Sequence, residues 1–127
     1  MSHFTTVHTE IKDIDALRDA CRELGLPLLD QAEARGYATA KLKADHVIRL
    51  NGPYDIAVQR EKKSYTLTTD WWNGHVEKEV GPNCGKLVQL YAVHKATREA
   101  RKRGHQVTRK REPNGAIRLL VQGGAWA

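Results

Sequence analysis

The sequence predicts an α+β fold: a two-layer sandwich, a mainly antiparallel sheet with two helices on one face, in the order β-α-β-β-β-α-β-β. Three observations predict it. An early segment carries helical spacing between clear start and stop signals. Two later pairs of segments alternate apolar and polar residues around turns. A long helix-favouring stretch separates those two pairs.

Residues 3–11 are rich in β-branched types, with Thr5, Val7, Thr9 and Ile11 on one side, and read as a strand. Asp13 offers an N-cap. Ile14, Leu17, Cys21 and Leu24 follow at helical spacing, and Gly25 and Pro27 end the helix. Residues 26–36 are mixed and read as irregular. Tyr37–Leu42 and His46–Leu50 read as one interrupted strand or two short ones, before a turn at Asn51-Gly52-Pro53.

Tyr54, Ile56 and Val58 alternate with Asp55, Ala57 and Gln59. Tyr65, Leu67, Thr69 and Trp71 alternate with Thr66, Thr68 and Asp70. With the polar link 61–64 between them, these runs predict a hairpin with one apolar face. If its second strand runs on through Trp71 and Trp72, the two indoles point to opposite faces.

Residues 73–83 connect to a second helix over about residues 85–103, stopped by Gly104. Its amphipathicity is blurred. Ala92, Val93, Ala96 and Ala100 share one side, and Leu87, Tyr91, His94 and Arg98 another. The small-residue side is expected against the sheet, because alanine lets a helix lie close. A second hairpin, residues 105–112 and 116–122, turns at Pro113-Asn114-Gly115. The helix-free sheet face is then left to solvent or to a partner.

A length of 127 residues suits one domain, 1–127, large enough to bury a core without disulfides or metal. No apolar run approaches membrane-spanning length, so no membrane insertion is expected, and no signal peptide is visible. Two distant cysteines, Cys21 and Cys84, suggest reduced thiols and a cytoplasmic protein. The net charge of +6 is uneven: residues 1–60 carry 8 Lys/Arg against 9 Asp/Glu, and residues 61–127 carry 13 against 6. A basic half attracts nucleic acid, an acidic protein or an anionic surface, and charge alone does not choose.

Chemistry-bearing patterns are sparse. Cys21 sits in the apolar stripe of the first helix and reads as a core hydrophobe. Cys84 falls at the start of the second helix, where a helix dipole can lower a thiol pKa, so a small thiol-dependent enzyme is one alternative. His3 and His8, or His75 and Cys84, lack zinc-type spacing, so no metal or cofactor is predicted. Gly81-x-x-x-Gly85-Lys86 is a truncated phosphate-loop pattern that lacks both the spacing and the hydroxyl after lysine. The candidate partner-binding residues are Trp72, His75, Arg98, Arg101, Lys102, Arg103, Arg109, Lys110 and Arg111. Nucleic acid is the alternative partner for the basic Arg98–Arg111 stretch, although no aromatic run alternates with those charges.

Several pieces in order, SHFTTVHTEIKDIDALRDACRELGL at the start, then Arg35–Tyr37, Tyr54–Val58, Asp70–Trp72, Tyr91–His94 and Gly115–Gln122, resemble one family. It is domain-of-unknown-function family twelve fifty-seven. Its plastid and cyanobacterial members form the hypothetical chloroplast reading frame thirty-five group. The resemblance covers nearly the whole chain and implies no catalytic residues. It implies a small accessory protein working with a partner, since some members sit in gene neighbourhoods with AAA-type ATPases and other small proteins. This chain is more basic than the cyanobacterial type in its second helix and the strand after it. The expectation is a non-enzymatic accessory or assembly subunit that binds another protein, an AAA-type ATPase or a small operon-mate.

Overall fold

The computed structural model describes residues 3–123. Strand β1 (Phe4–His8) leads to helix α1 (Ile14–Glu23), then to β2 (Leu28–Arg35), β3 (Lys41–Ile48), β4 (Ile56–Glu61) and β5 (Ser64–Asp70). A short helical turn α2 (Glu77–Val80) precedes the long helix α3 (Gly85–Lys102). The chain ends in β6 (Gln106–Arg111) and β7 (Ile117–Gln122). Five strands form one antiparallel sheet in the order β1-β5-β4-β3-β2, and β6 and β7 form a separate two-stranded sheet. The α+β class and the helices on one sheet face are as the sequence predicts.

The main core lies between that face and the helices. Ile48, Ile56, Val58, Tyr65 and Leu67 meet Leu17, Cys21, Leu87 and Leu90 there. Asp13 caps α1, its Oδ1 accepting the N–H groups of Asp15 and Ala16. Tyr91 on α3 fixes the same helix start, its hydroxyl accepting from Lys12 N and Asp13 N at 3.1 Å each.

Four local expectations are corrected. Residues 28–35 are not irregular but form β2, one strand more than expected, and β3 is continuous. The segment hides its state: it holds no β-branched residue, and Gln31 has a φ of 47° that breaks the alternation. Strand β1 stops at His8 and not Ile11. Residues 73–83 contain α2 and two short 3-10 turns. Finally, α3 buries mainly larger residues, Leu87, Leu90 and Tyr91, while the small-residue side divides: Val93 and Ala100 are buried, and Ala92 and Ala96 face solvent. The helix packs mainly on α1, and long side chains fill that gap better than alanine does.

The helix-free sheet face is not left wholly open. A second apolar cluster on it joins Val47 and Ala57 to Ala34 and Ala44, with Leu29, Ala32 and Leu42 beside them. Before His46, β3 does not pair with β4. From there the β2–β3 ribbon folds over the face. The Asp55 N–H donates to Arg35 O at 2.9 Å, and the Phe4 ring lies 2.5 Å from where a Gly36 Cβ would stand. Any side chain there would have to displace the Phe4 ring.

Candidate functional site

The fold-over brings together Arg35–Tyr37, the start of β4 and the end of β5. Asp55 is 0% exposed. Its Oδ2 accepts from Arg35 N and Nε, both at 2.9 Å, and its Oδ1 from Arg35 Nη2 at 2.7 Å and Leu50 N at 3.2 Å. Arg49 Nε stands 3.3 Å from Oδ2 as an ion contact. The Arg35 guanidinium also donates to the carbonyls of Leu50 and Gly52. Burial pushes the Asp55 carboxyl up, but Arg35 and the two backbone N–H groups outweigh it and hold it below its ordinary value. This is a satisfied ionic clamp on the end of β2.

Asp70, 1% exposed, is a second clamp. Its Oδ2 accepts from Tyr37 N at 3.1 Å and its Oδ1 from Trp72 N at 3.0 Å. The strand therefore ends at Asp70, and the tryptophans separate by a turn and not by strand alternation. Trp71 packs against the main core. Trp72 is 46% exposed and meets Tyr37, 49% exposed, edge to face with ring centroids 6.1 Å apart. Asn73 and Gly74, both at positive φ, complete the turn. Asp55 and Tyr37 are not among the expected site residues, whereas Asp70 opens the Asp70–His75 turn, one of the expected docking surfaces. The alternation around Asp55 and Asp70 reads as solvent-facing and gives no signal of their burial.

His75 is half-buried, its ring 5.5 Å from Tyr54 in a T-shaped contact. The Asn51–Gly52 turn beside it is held by Glu79, whose carboxylate accepts from Asn51 N and Gly52 N. The place of His75 is thus explained by packing.

The expected basic surface divides. Arg98 makes a two-pronged pair with Asp19, and Arg109 another with Glu23, whose Oε1 also stands 2.7 Å from His94 Nε2. Hydrogen bonding from Arg98 holds the Asp19 carboxyl below its ordinary range, and Arg109 does the same for Glu23. These arginines fasten α3 and the β6–β7 hairpin to α1. Lys102 lies 3.6 Å from Glu99. Arg101, Arg103, Lys110 and Arg111 are exposed, with no acidic partner among the described residues. Arg101 and Lys102 line a shallow depression of about 740 Å³ between α1 and α3. Trp72 thus packs on Tyr37 and His75 on Tyr54, and the structure records no contact of either with the basic residues among the described residues.

Cys84 is buried at the start of α3 with a φ of 63°. Burial pushes its thiol up to about 12, and Cys21 likewise. Neither offers the exposure or the thiolate that nucleophilic chemistry needs. The Gly81–Lys86 segment is built for a tight turn: Gly81 has a φ of 84°, and a Cβ there would stand 2.9 Å from Lys86 N. Among the described residues no group of three His, Cys, Asp or Glu side chains is placed to hold a metal ion, and no helix is long and apolar enough to cross a membrane.

Fold and site together describe a small α+β protein with a clamped aromatic turn and a basic end. The chain belongs to the family described as protein of unknown function (DUF1257), which it matches over residues 20–120. Among curated proteins it is similar to the uncharacterized protein ycf35 of Guillardia theta, 31% identical over 126 residues, 96% of this chain and 97% of that protein. It is 29% identical to the ycf35 protein of Pyropia yezoensis over the same shares. No solved structure matches it.

Proposed function

We propose that the chain is a non-enzymatic accessory subunit that docks a partner protein through the Tyr37–Trp72 turn. The observation that supports this most is the investment of two buried carboxylates, Asp55 and Asp70, in holding together two turns, after β2 and after β5, that present two half-exposed aromatic rings. Rigid exposed aromatics bind at low entropic cost and are frequent interface hot spots. The four unpartnered cations at the α3–β6 end would steer an acidic partner. The family resemblance makes an AAA-type ATPase the partner class to test first.

The test is co-purification of tagged protein from its native host at moderate salt. A defined partner should be retained by the wild type and lost with Trp72→Ala. It should be retained with weaker salt resistance when Arg101, Arg103, Lys110 and Arg111 are changed to Ala. Recovery of the chain with no protein partner would count against the reading.

The same four cations support a second reading, a nucleic-acid-binding module. Its mark would be affinity for single- or double-stranded oligonucleotides that falls steeply with salt and flattens in the fourfold variant. No binding at low salt would end that reading.

A further inference from the structure

The five-stranded sheet has two edges, and they are treated differently. The β2 edge carries Asp30, Glu33 and Arg35, is kinked by the left-handed Gln31, and folds away over the sheet. Charges, kinks and burial are the usual devices that stop an edge strand from pairing with another chain. The β1 edge has none of them. Phe4-Thr5-Thr6-Val7-His8 contains no Lys, Arg, Asp, Glu or Pro and no positive-φ residue, and Thr5, Thr6 and His8 are exposed. Among the described residues no strand pairs with its outer side.

We propose that β1 is the edge along which a second copy of this chain pairs, antiparallel about a two-fold axis at Thr6, making one continuous sheet. The sequence of the strand is complementary to itself in that register. Thr6 meets Thr6, Thr5 meets Val7 and Phe4 meets His8 of the second copy, and no like charges are opposed. The parity is also consistent. Phe4, Thr6 and His8 share the face of Thr66, Thr68 and Asp70 with which they pair, and residues 5 and 7 share the helix side.

A second observation favours a copy of this chain over an unrelated strand. On the helix side, a depression of about 460 Å³ lies between the C-terminal half of β1 and the start of α3. It is lined by Val7, Thr9, Glu10, Pro82 and Val88, among others. In the two-fold register residue 9 stands opposite residue 3, so the exposed His3 of the second copy extends over this depression and reaches Glu10. The axis repeats the contact, giving two imidazole–carboxylate pairs. The contact is one short strand and two such depressions, so the dimer is concentration-dependent and not permanent.

Sedimentation of the full chain over a range from low to high micromolar concentration tests this, with a Thr6→Cys variant under mild oxidation. Residues facing each other across neighbouring antiparallel strands have Cα atoms about 4.5–5.5 Å apart, within reach of a disulfide. Both native cysteines are buried and do not compete. The expected result is a mass rising from one chain to two, and a Thr6→Cys crosslink forming at least tenfold faster than that of an exposed Lys110→Cys control. Glu10→Lys, a surface change that spares the fold, should weaken association at least tenfold. A single chain at every concentration would overturn the proposal. So would equal crosslinking of the two cysteine variants, or a dimer indifferent to Glu10→Lys, since the copies would then meet elsewhere or another strand would cover β1.

Discussion

At the residue scale, two carboxylates decide the shape of the sheet's end. Asp55 is fully buried against Arg35 and two backbone N–H groups, so removing it leaves two backbone donors unpaired and takes the Arg35 guanidinium's carboxylate away. Asp55→Ala should cost about 3 kcal/mol of stability, measured by urea unfolding monitored by circular dichroism. Asp55→Asn, which keeps part of the hydrogen bonding, should cost less. The cysteines belong to the same scale. With Cys21 and Cys84 buried and their thiols pushed up to about 12, neither should react with an aromatic disulfide reagent at neutral pH until the protein unfolds. Native labelling faster than global unfolding would contradict this.

At the scale of elements, most of the architecture was legible where local chemistry and tertiary packing agree. The Asp13 cap announced α1, and the alternation around residues 61–64 announced the β4–β5 hairpin. Strand β2 was hidden because its Ala, Glu, Gln and Arg residues carry no strand preference. It is a strand because β3 lies alongside it, a reason no local window contains. The inward side of α3 was misread for a related cause. That helix is covered by α1 and the second hairpin as well as by the sheet, so its apolar residues do not form one narrow stripe. Leu87→Ala should therefore cost about 2–4 kcal/mol, while Ala96→Ser on the exposed side should change stability by less than about 1 kcal/mol in the same unfolding assay. For the site, Trp72 could be singled out from its type and position. The burial of Asp55 and Asp70 could not be read, because a polar residue in an alternating strand reads as solvent-facing. Only the fold-over of β2 and β3 buries them.

At the scale of the whole molecule, α1 is an acidic counterpart to the basic second half. Asp19 and Glu23 hold Arg98 and Arg109, and so join α3 and the second hairpin to the body of the protein. Both carboxyls have folded-state pKa values below their ordinary 3.8 and 4.5. A lowered folded pKa gives stability that is complete above the unfolded value and is lost as pH falls through the folded one. Stability should therefore be level near neutral pH and decline below about pH 4. In Asp19→Asn and Glu23→Gln variants the acid decline should be shallower, because part of the linkage is already gone. Thermal melts across that range would measure it.

The fold-over of the β2–β3 ribbon also dictates an order of folding. Arg35 meets Asp55 across 20 positions and Tyr37 meets Asp70 across 33, whereas β4 and β5 are joined by the two residues Lys62 and Lys63. Short closures form first, and the ribbon has nothing to close onto until the β4–β5 hairpin stands. The aromatic turn is thus assembled after that hairpin. In native-state hydrogen exchange, amides at Gly36 and Tyr37 should open at lower free energy than those of Leu67 and Thr69. A partner seated on that turn would slow their exchange, so these two amides would also report its occupancy.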